Sequence, residues 1–399
     1  MMNYRIDFVN GEFFGEGLGG FGGYGSLCKT VAQYFNTNMK SQIKCMLFLI
    51  SPHRKEILYE HQTKVIPLSQ KPFPLKFLDY MSRIKNEKVD VLLSIEFYQT
   101  YLYSYFSKPK TPLIIWLQDP RTIEDWREIK TSEYVYQKEV GNVFPETLDK
   151  QLKEYYKILK LQSLIFNRKI LFVTQARCLV QKGIEKCGDE TISDVAFLPN
   201  PIEIPREHST LIKRAKPTIL FLGRLDPIKR PWIFFEIAKK MPDYDFWVAG
   251  KSHDYEYMRD RIDPYIDLDN LKFLGLVQGP KKEEILSKSW ILVNTSIHEA
   301  LPVSFLEALA YEIPIVSCQD PDDIASKFGI YIGKVLGDGY EAIELYIKAI
   351  RRLVEDDQLR YSLGNQGREY VMKYHSFENF EKILIQLVTG LTNQNHRDP

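Results

Sequence analysis

The sequence predicts an α/β protein built from two doubly wound domains, and three observations carry that expectation. Its 399 residues exceed one ordinary domain and suit two. Short runs rich in Ile, Val, Leu and Phe alternate with longer stretches of helical period, the pattern of parallel strands buried on both faces and joined by helical crossovers. A proline-rich stretch then divides that alternation in two.

In the first half, strands are expected at Tyr4–Asn10, Ile43–Ile50, Val89–Ile95, Pro112–Leu117, Ile170–Thr174 and Val195–Leu198. Helices are expected at Ser26–Asn36, Leu75–Lys85, Leu148–Phe166 and Ala176–Lys186. The divider runs from Pro199 to Pro217 and holds four prolines in 19 residues, which is linker chemistry. Beyond it, strands read at Thr218–Leu222, Tyr244–Ala249, Leu271–Leu274, Trp290–Asn294 and Ile313–Ser317. Helices read at Pro231–Lys240, Lys281–Ser287, Ser304–Ala310 and across Tyr340–Tyr374. The domains are therefore placed at 1–198 and 199–377, facing across a cleft. Ligands in such sheets bind outside the carboxyl ends of the strands.

Composition narrows the function classes. Fifty-three Lys and Arg stand against 52 Asp and Glu, a net charge of +1, so no broad affinity for nucleic acid is expected. Five scattered cysteines without C-x-x-C spacing argue against a disulfide framework or a structural zinc site, and fit a reducing compartment. The start lacks a basic and then apolar leader, and the longest apolar runs are far short of the roughly 20 residues a membrane span needs. A soluble cytoplasmic protein is expected. Lys150 to Lys169, with basic residues among apolar ones, reads as a packed helix or as peripheral contact with the inner face of a membrane.

Residues 11–25 hold eight of the 22 glycines, between the first strand and the first helix. Such a loop lets backbone approach a ligand and sets amide groups near a helix N-terminus, where anions are favoured. Three overlapping G-x-G-x-x-G matches occur, but the second strand ends Leu49-Ile50-Ser51-Pro52-His53 without the carboxylate that a dinucleotide site wants. No bound cofactor is expected.

The strongest signals lie in the second half. Gly223-Arg224-Leu225-Asp226-Pro227-Ile228-Lys229 puts two cations where a strand feeds a helix, suited to phosphate oxygens. His298-Glu299-Ala300-Leu301-Pro302-Val303-Ser304-Phe305-Leu306-Glu307 places two glutamates eight residues apart, about 12 Å if both were helical. A helix N-terminus between them favours a diphosphate, leaving one carboxylate for sugar hydroxyls and the other for ribose. Glu307 sits in an apolar stretch, where a carboxylate needs a partner.

These two motifs together resemble the signatures of retaining glycosyltransferases of the GT-B fold, family 4, also called glycosyl transferases group 1. Gly22-Gly23-Tyr24-Gly25 is similar to that family's first glycine loop, Phe172 to Ala176 to its late first-domain strand and turn, Pro199 to Glu203 to its hinge, and Phe273 to Val277 to the turn beside the base. His375-Ser376-Phe377 is similar to the start of the helix, here 378–399, that returns to the first domain. The resemblance implies a nucleotide-diphosphate sugar as donor substrate and a glycan, lipid-linked or small-molecule acceptor, in polysaccharide or glycoconjugate synthesis. It implies that Arg224 and Lys229 hold the diphosphate in place of a metal. Glu299 would bind the donor sugar, with backbone at Ala300, Leu301 and Pro302. Glu307 would bind ribose, Val277 would offer backbone to the base, and Gly22 and Gly23 would border phosphate and acceptor. The family's first-domain His is missing: Trp116-Leu117-Gln118-Asp119-Pro120 has Gln118 near that place and Asp119 as the nearest ionisable candidate. A catalytically silent binding subunit, a GT-B sugar epimerase and a glycosidase are the rival readings. The cations beside the carboxylate motif weigh against the last.

Overall fold

A computed structural model describes residues 3–12, 23–50, 56–60, 62–68, 72, 74–98, 101–187, 196–205 and 213–393. They fall into two units, one formed by Met1–Pro120, Asp149–Pro201 and Phe377–Pro399, the other by Arg121–Leu148 and Ile202–Ser376.

The first unit holds strands β1 (Tyr4–Asn10), β2 (Ile43–Lys44), β3 (Leu47–Ile50), β4 (Leu58–Glu60), β5 (Thr63–Leu68), β6 (Val91–Ile95), β7 (Leu113–Leu117), β8 (Ile170–Thr174) and β9 (Ala196–Phe197). Their order is β4-β5-β3-β1-β6-β7-β8-β9, with β2 beside β1. Every described pairing is parallel except the β4/β5 hairpin. The direction of winding reverses between β1 and β6. The helix Phe377–Asn393 covers this sheet: Phe377 stacks on Tyr34 at 4.3 Å between ring centres, and Phe380 on Trp116 at 5.3 Å.

In the second unit, β10 (Thr218–Leu222), β11 (Asp245–Ala249), β12 (Leu271–Gly275), β13 (Ile291–Asn294), β14 (Ile315–Ser317) and β15 (Gly329–Tyr331) form an all-parallel sheet. Its order, β12-β11-β10-β13-β14-β15, is the doubly wound order with its switch point between β10 and β13. The core gathers around Trp232, Phe234, Phe235, Ile219 and Phe246.

The structure departs from the sequence expectation in several places. Ile43–Ile50 is two strands, not one, and β4, β5 and β15 were not expected. β4 is partly buried and three residues long, too short to show a period. Tyr340–Tyr374 divides into a turn and the helices Ile343–Glu355 and Asp357–Tyr374, because Asp356 leaves helical geometry and caps the second with its side chain. The largest correction concerns Arg121–Leu148, placed by sequence in the first domain. Two unexpected helices, Ile123–Lys130 and Glu133–Val140, bury Trp126, Ile129, Val135 and Tyr136 in the core around Trp232. Those rings join them to the second unit. Val195, Gly22 and part of the linker lie outside the described residues.

One buried charge in the first unit carries a pH signature. The Asp7 side chain on β1 is fully buried, accepting from Arg5 Nε at 2.7 Å and from Met46 N at 3.0 Å. Burial outweighs the attraction of Arg5 and pushes its pKa up to about 7. The folded unit therefore holds a proton that the unfolded chain gives up near pH 4. Its contribution is fully present below that pH, is lost as pH rises to about 7 and is constant beyond, a change of roughly 4 kcal/mol at most. Asp7→Asn should remove this slope. Hydrogen exchange of the β1 and β3 amides between pH 5 and 8 measures it, and parallel slopes in the two proteins would contradict it.

Candidate functional site

Three glycines end three neighbouring strands of the second unit. Gly223 N donates to Ala249 O at 3.0 Å, and Gly250 N to Gly275 O at 2.8 Å, so the ladder continues just past β10 and β11 to the last residue of β12. A Cβ on Gly250 would stand 1.8 Å from Gly223 O, so only glycine allows this approach. Backbone is thus bared at the carboxyl ends of the strands, beside the switch point.

The loop after β10 turns through Asp226 and Pro227–Lys229 into helix Pro231–Lys240. The loop after β13 runs through Thr295–Pro302 into helix Val303–Ala310. The two loops are zipped together. Ile297 N donates to Ile228 O at 3.0 Å, and Thr295 Oγ1 to Lys229 O at 2.7 Å. Between them lies Arg230, completely buried and left-handed at φ +44°. Its guanidinium donates to the carbonyls of Thr295, Ser296, Leu336 and Gly337, and to Cys318 Sγ.

This brings Lys229 to Glu299, 70 residues away in sequence, at 2.6 Å. The Glu299 side chain is 8% exposed. Its Oε1 also accepts from Ser296 Oγ at 2.6 Å and Asn294 Nδ2 at 3.0 Å. Burial alone would raise its pKa. The Lys229 charge and the three hydrogen bonds prevail and hold the carboxyl below the usual range. Glu299 is therefore a buried anion with Oε2 left to accept. It can bind hydroxyl groups, but it is a poor proton donor.

Arg224 donates to Asp226 Oδ2 at 2.8 Å and lies 2.9 Å from His253 Nδ1. His253 follows β11; its Nδ1 is 3.0 Å from Asp226 Oδ2, and its backbone N donates to Asp226 Oδ1. Arg224 remains 41% exposed, with further N–H groups to offer. Glu307 has the partner its apolar setting requires: Lys282 Nζ at 2.6 Å. Val277 is buried, and its turn begins at Gly275, φ +69°.

Other expected residues take lesser places. Ala300 and Leu301 are buried, so only their backbone is on offer. Pro302 precedes the helix rather than entering it, and has no N–H; the amides of the first turn begin at Val303. His298 is buried 3.6 Å from Asp125, in the capping box of helix Ile123–Lys130. In the first unit, Gly23 starts the helix after β1 and is exposed, whereas Gly22 is not described. Gln118, after β7, is buried and accepts from Asn200 Nδ2 at 3.0 Å, so it belongs to a packed amide cluster. Asp119 is half-buried beside it.

Sequence reasoning missed Asn294, Ser296, His253, Lys282 and the role of Arg230. Asn294 and Ser296 flank the end of β13 and could have been read from the carboxyl-end rule. Lys282 carries no local signal, since its pairing with Glu307 is purely tertiary.

With this geometry in place, the chain can be set beside known proteins. Residues 205–370 match the family model of the glycosyl transferases group 1. Among solved structures, sucrose-phosphate synthase from Thermosynechococcus elongatus superposes with a TM-score of 0.72 at 12% identity, over 98% of this chain and 100% of that one. Anabaena HepE, crystallised with UDP and glucose, gives 0.69 at 12% identity, over 97% and 100%. The poly(glycerol-phosphate) alpha-glucosyltransferase of Bacillus subtilis is 24% identical over 204 residues, 48% of this chain and 29% of that protein. The chain spans less than half the length of the curated relatives it matches. The fold is GT-B. Within it, residues 205–370 carry the similarity to the glycosyl transferases group 1 family.

The Lys229–Glu299 pair is testable without a substrate. Removing one partner of a desolvated pair strands the other charge. Lys229→Met should cost about 2–4 kcal/mol, and Lys229→Met with Glu299→Gln should recover most of it. Urea unfolding followed by tryptophan fluorescence reports the second unit, which holds four of the five tryptophans. A double variant no more stable than Lys229→Met would refute the coupling.

Proposed function

We propose that this protein is a retaining glycosyltransferase that moves a sugar from a nucleotide-diphosphate sugar to an acceptor hydroxyl, in polysaccharide or glycoconjugate synthesis. The observation that carries the reading is the buried, ionised Glu299 held by Lys229 at the switch point of the second sheet. A carboxylate that keeps its charge can orient sugar hydroxyls. A glycosidase acid at that place would need a raised pKa.

Each residue then has one task. Lys229 keeps two N–H donors beyond the one given to Glu299, and with Arg224 it would meet the diphosphate and take up the charge that grows as the sugar leaves. Glu299 Oε2 would accept from donor-sugar hydroxyls. Glu307, anchored through Oε1 to Lys282, would offer Oε2 to the ribose. Backbone at Val277 would meet the base. Gly23 and Asp119, on the other unit, follow β1 and β7 at the carboxyl ends of their own sheet, the side on which an acceptor site is expected.

Among the described residues, no group of three His, Cys, Asp or Glu side chains is placed to hold a metal ion. The cations Arg224 and Lys229 would do that work, so turnover should survive EDTA. Loss in chelator, restored by a divalent ion, would overturn metal independence.

A thermal-shift screen of nucleotide sugars comes first; stabilisation by none of them would count against the whole reading. With the donor found, two variants separate the roles. A charge-assisted hydrogen bond contributes about 1.5–3 kcal/mol, roughly 10- to 150-fold. Arg224→Ala should lower kcat by such a factor, because its interaction strengthens as charge builds on the diphosphate. Glu307→Gln should mainly raise the donor KM, since the ribose is unchanged by the reaction. Full kcat in Arg224→Ala at saturating donor would rule out its leaving-group role.

A further inference from the structure

The first unit carries an outward surface that the proposed activity does not use. It lies on the helix Pro145–Phe166, from Lys150 onward. Tyr156, Leu159 and Gln162 turn inward and are buried. On the opposite side Ile158, Leu161, Leu164 and Ile165 are 44%, 57%, 79% and 66% exposed. Four large aliphatic side chains within eight residues, all turned to water, are more than scattered surface apolarity.

The same arc carries the cations. At about 100° per residue, Lys150, Lys153, Lys157 and Lys160 fall on one side of the exposed arc, and Ile158, Leu161 and Ile165 on the other, with Leu164 among the lysines. The whole strip spans about 160° of the helix and runs about 24 Å along it. Lys157 pairs with Glu154 at 2.6 Å, a surface contact that another anion can replace, whereas Lys153 pairs at 2.9 Å with the mostly buried Asp149. From Lys157 to Lys169 the chain has four bases and no acid. Arg168 is turned inward to the carbonyls of Thr111 and Lys108. Just past the helix, a pocket is lined by Lys110, Pro112, Phe166, Asn167 and Lys169, and Lys169 Nζ there donates to Leu391 O at 3.1 Å.

We propose that this face docks on the surface of an anionic lipid bilayer. The helix would lie flat, with its aliphatic side chains among the acyl chains and its lysines reaching outward to lipid phosphates. Charge selects this occupant over a second copy of the chain, which would set lysine against lysine. The mode is peripheral: no helix among the described residues is long and apolar enough to cross a membrane. The inference stands on the surface of the first unit alone and is independent of the proposed activity.

The experiment is flotation of the full chain with vesicles, either pure phosphatidylcholine or phosphatidylcholine mixed with phosphatidylglycerol. Binding is expected to the mixed vesicles, weakening as salt rises, and not to the neutral ones. Lys150→Glu, Lys157→Glu and Lys160→Glu should each lower partitioning about fivefold or more. Leu161→Ser with Leu164→Ser and Ile165→Ser should reduce it at least tenfold, and circular dichroism should stay unchanged because these side chains are exposed. No flotation with anionic vesicles, equal flotation with neutral ones, or full flotation of the serine triple variant would each overturn the proposal. So would a dimer, seen by sedimentation without vesicle binding and abolished by the serine triple variant; the face would then be an interface between copies. Complete displacement by millimolar inorganic phosphate would reduce the site to an ion pocket and would also overturn it.

Discussion

Arg230 is a cation with no access to water, and its disposition fixes the geometry of the candidate site. Its guanidinium is shared among carbonyls from the loop after β13 and from residues 336–337. Hydrogen bonds to a charged donor contribute about 1.5–3 kcal/mol each. Several together, backed by the zipper of Ile228 with Ile297 and of Thr295 with Lys229, hold two loops as one body. The cost is visible in the backbone. Arg230 sits left-handed, and Gly339, at φ +78°, must lack a side chain because a Cβ there would press on the guanidinium and on Ile233.

What Arg230 fixes is the reach of its neighbour. Lys229 has a short, defined path to Glu299 only because the loop bearing it cannot drift. A carboxylate with an ammonium group and two neutral donors on one oxygen keeps its charge under burial. Arg224 is arranged by the opposite logic. It is half exposed and braced by Asp226, which His253 also contacts. One cation is preorganised within the protein and the other is held at its surface.

The first unit shows a comparable device between the loops after β6 and β7. Glu96, just after β6, is buried and left-handed at φ +63°. Its Oε2 accepts from the backbone amides of Gln118 at 2.8 Å and Asp119 at 2.9 Å. The carboxylate offsets its strained backbone by capping the turn that carries Asp119. In each unit a residue with left-handed backbone beyond one strand fixes the loop that follows the neighbouring strand, across the switch point in the second unit and between β6 and β7 in the first.

The parallel sheets, the division of the chain near Pro199 and the motifs at Arg224, Lys229, Glu299 and Glu307 could be read in advance. Buried strands are written in continuous apolar runs, and the carboxyl ends of such strands are where polar and glycine residues gather. The membership of Arg121–Leu148 could not be read that way. Its helices are amphipathic whichever core they join, and only the fit of Trp126 and Tyr136 around Trp232 decides. Nor could the pairings of Lys229 with Glu299 and of Lys282 with Glu307, 70 and 25 residues apart, be read locally. By itself the sequence determined which residues are chemically able and on which strand ends they lie, because those are properties of local period and composition. Tertiary structure decided which charges meet and which remain open to a ligand, because an ion pair depends on the few ångströms between loops that only the packed sheet can set.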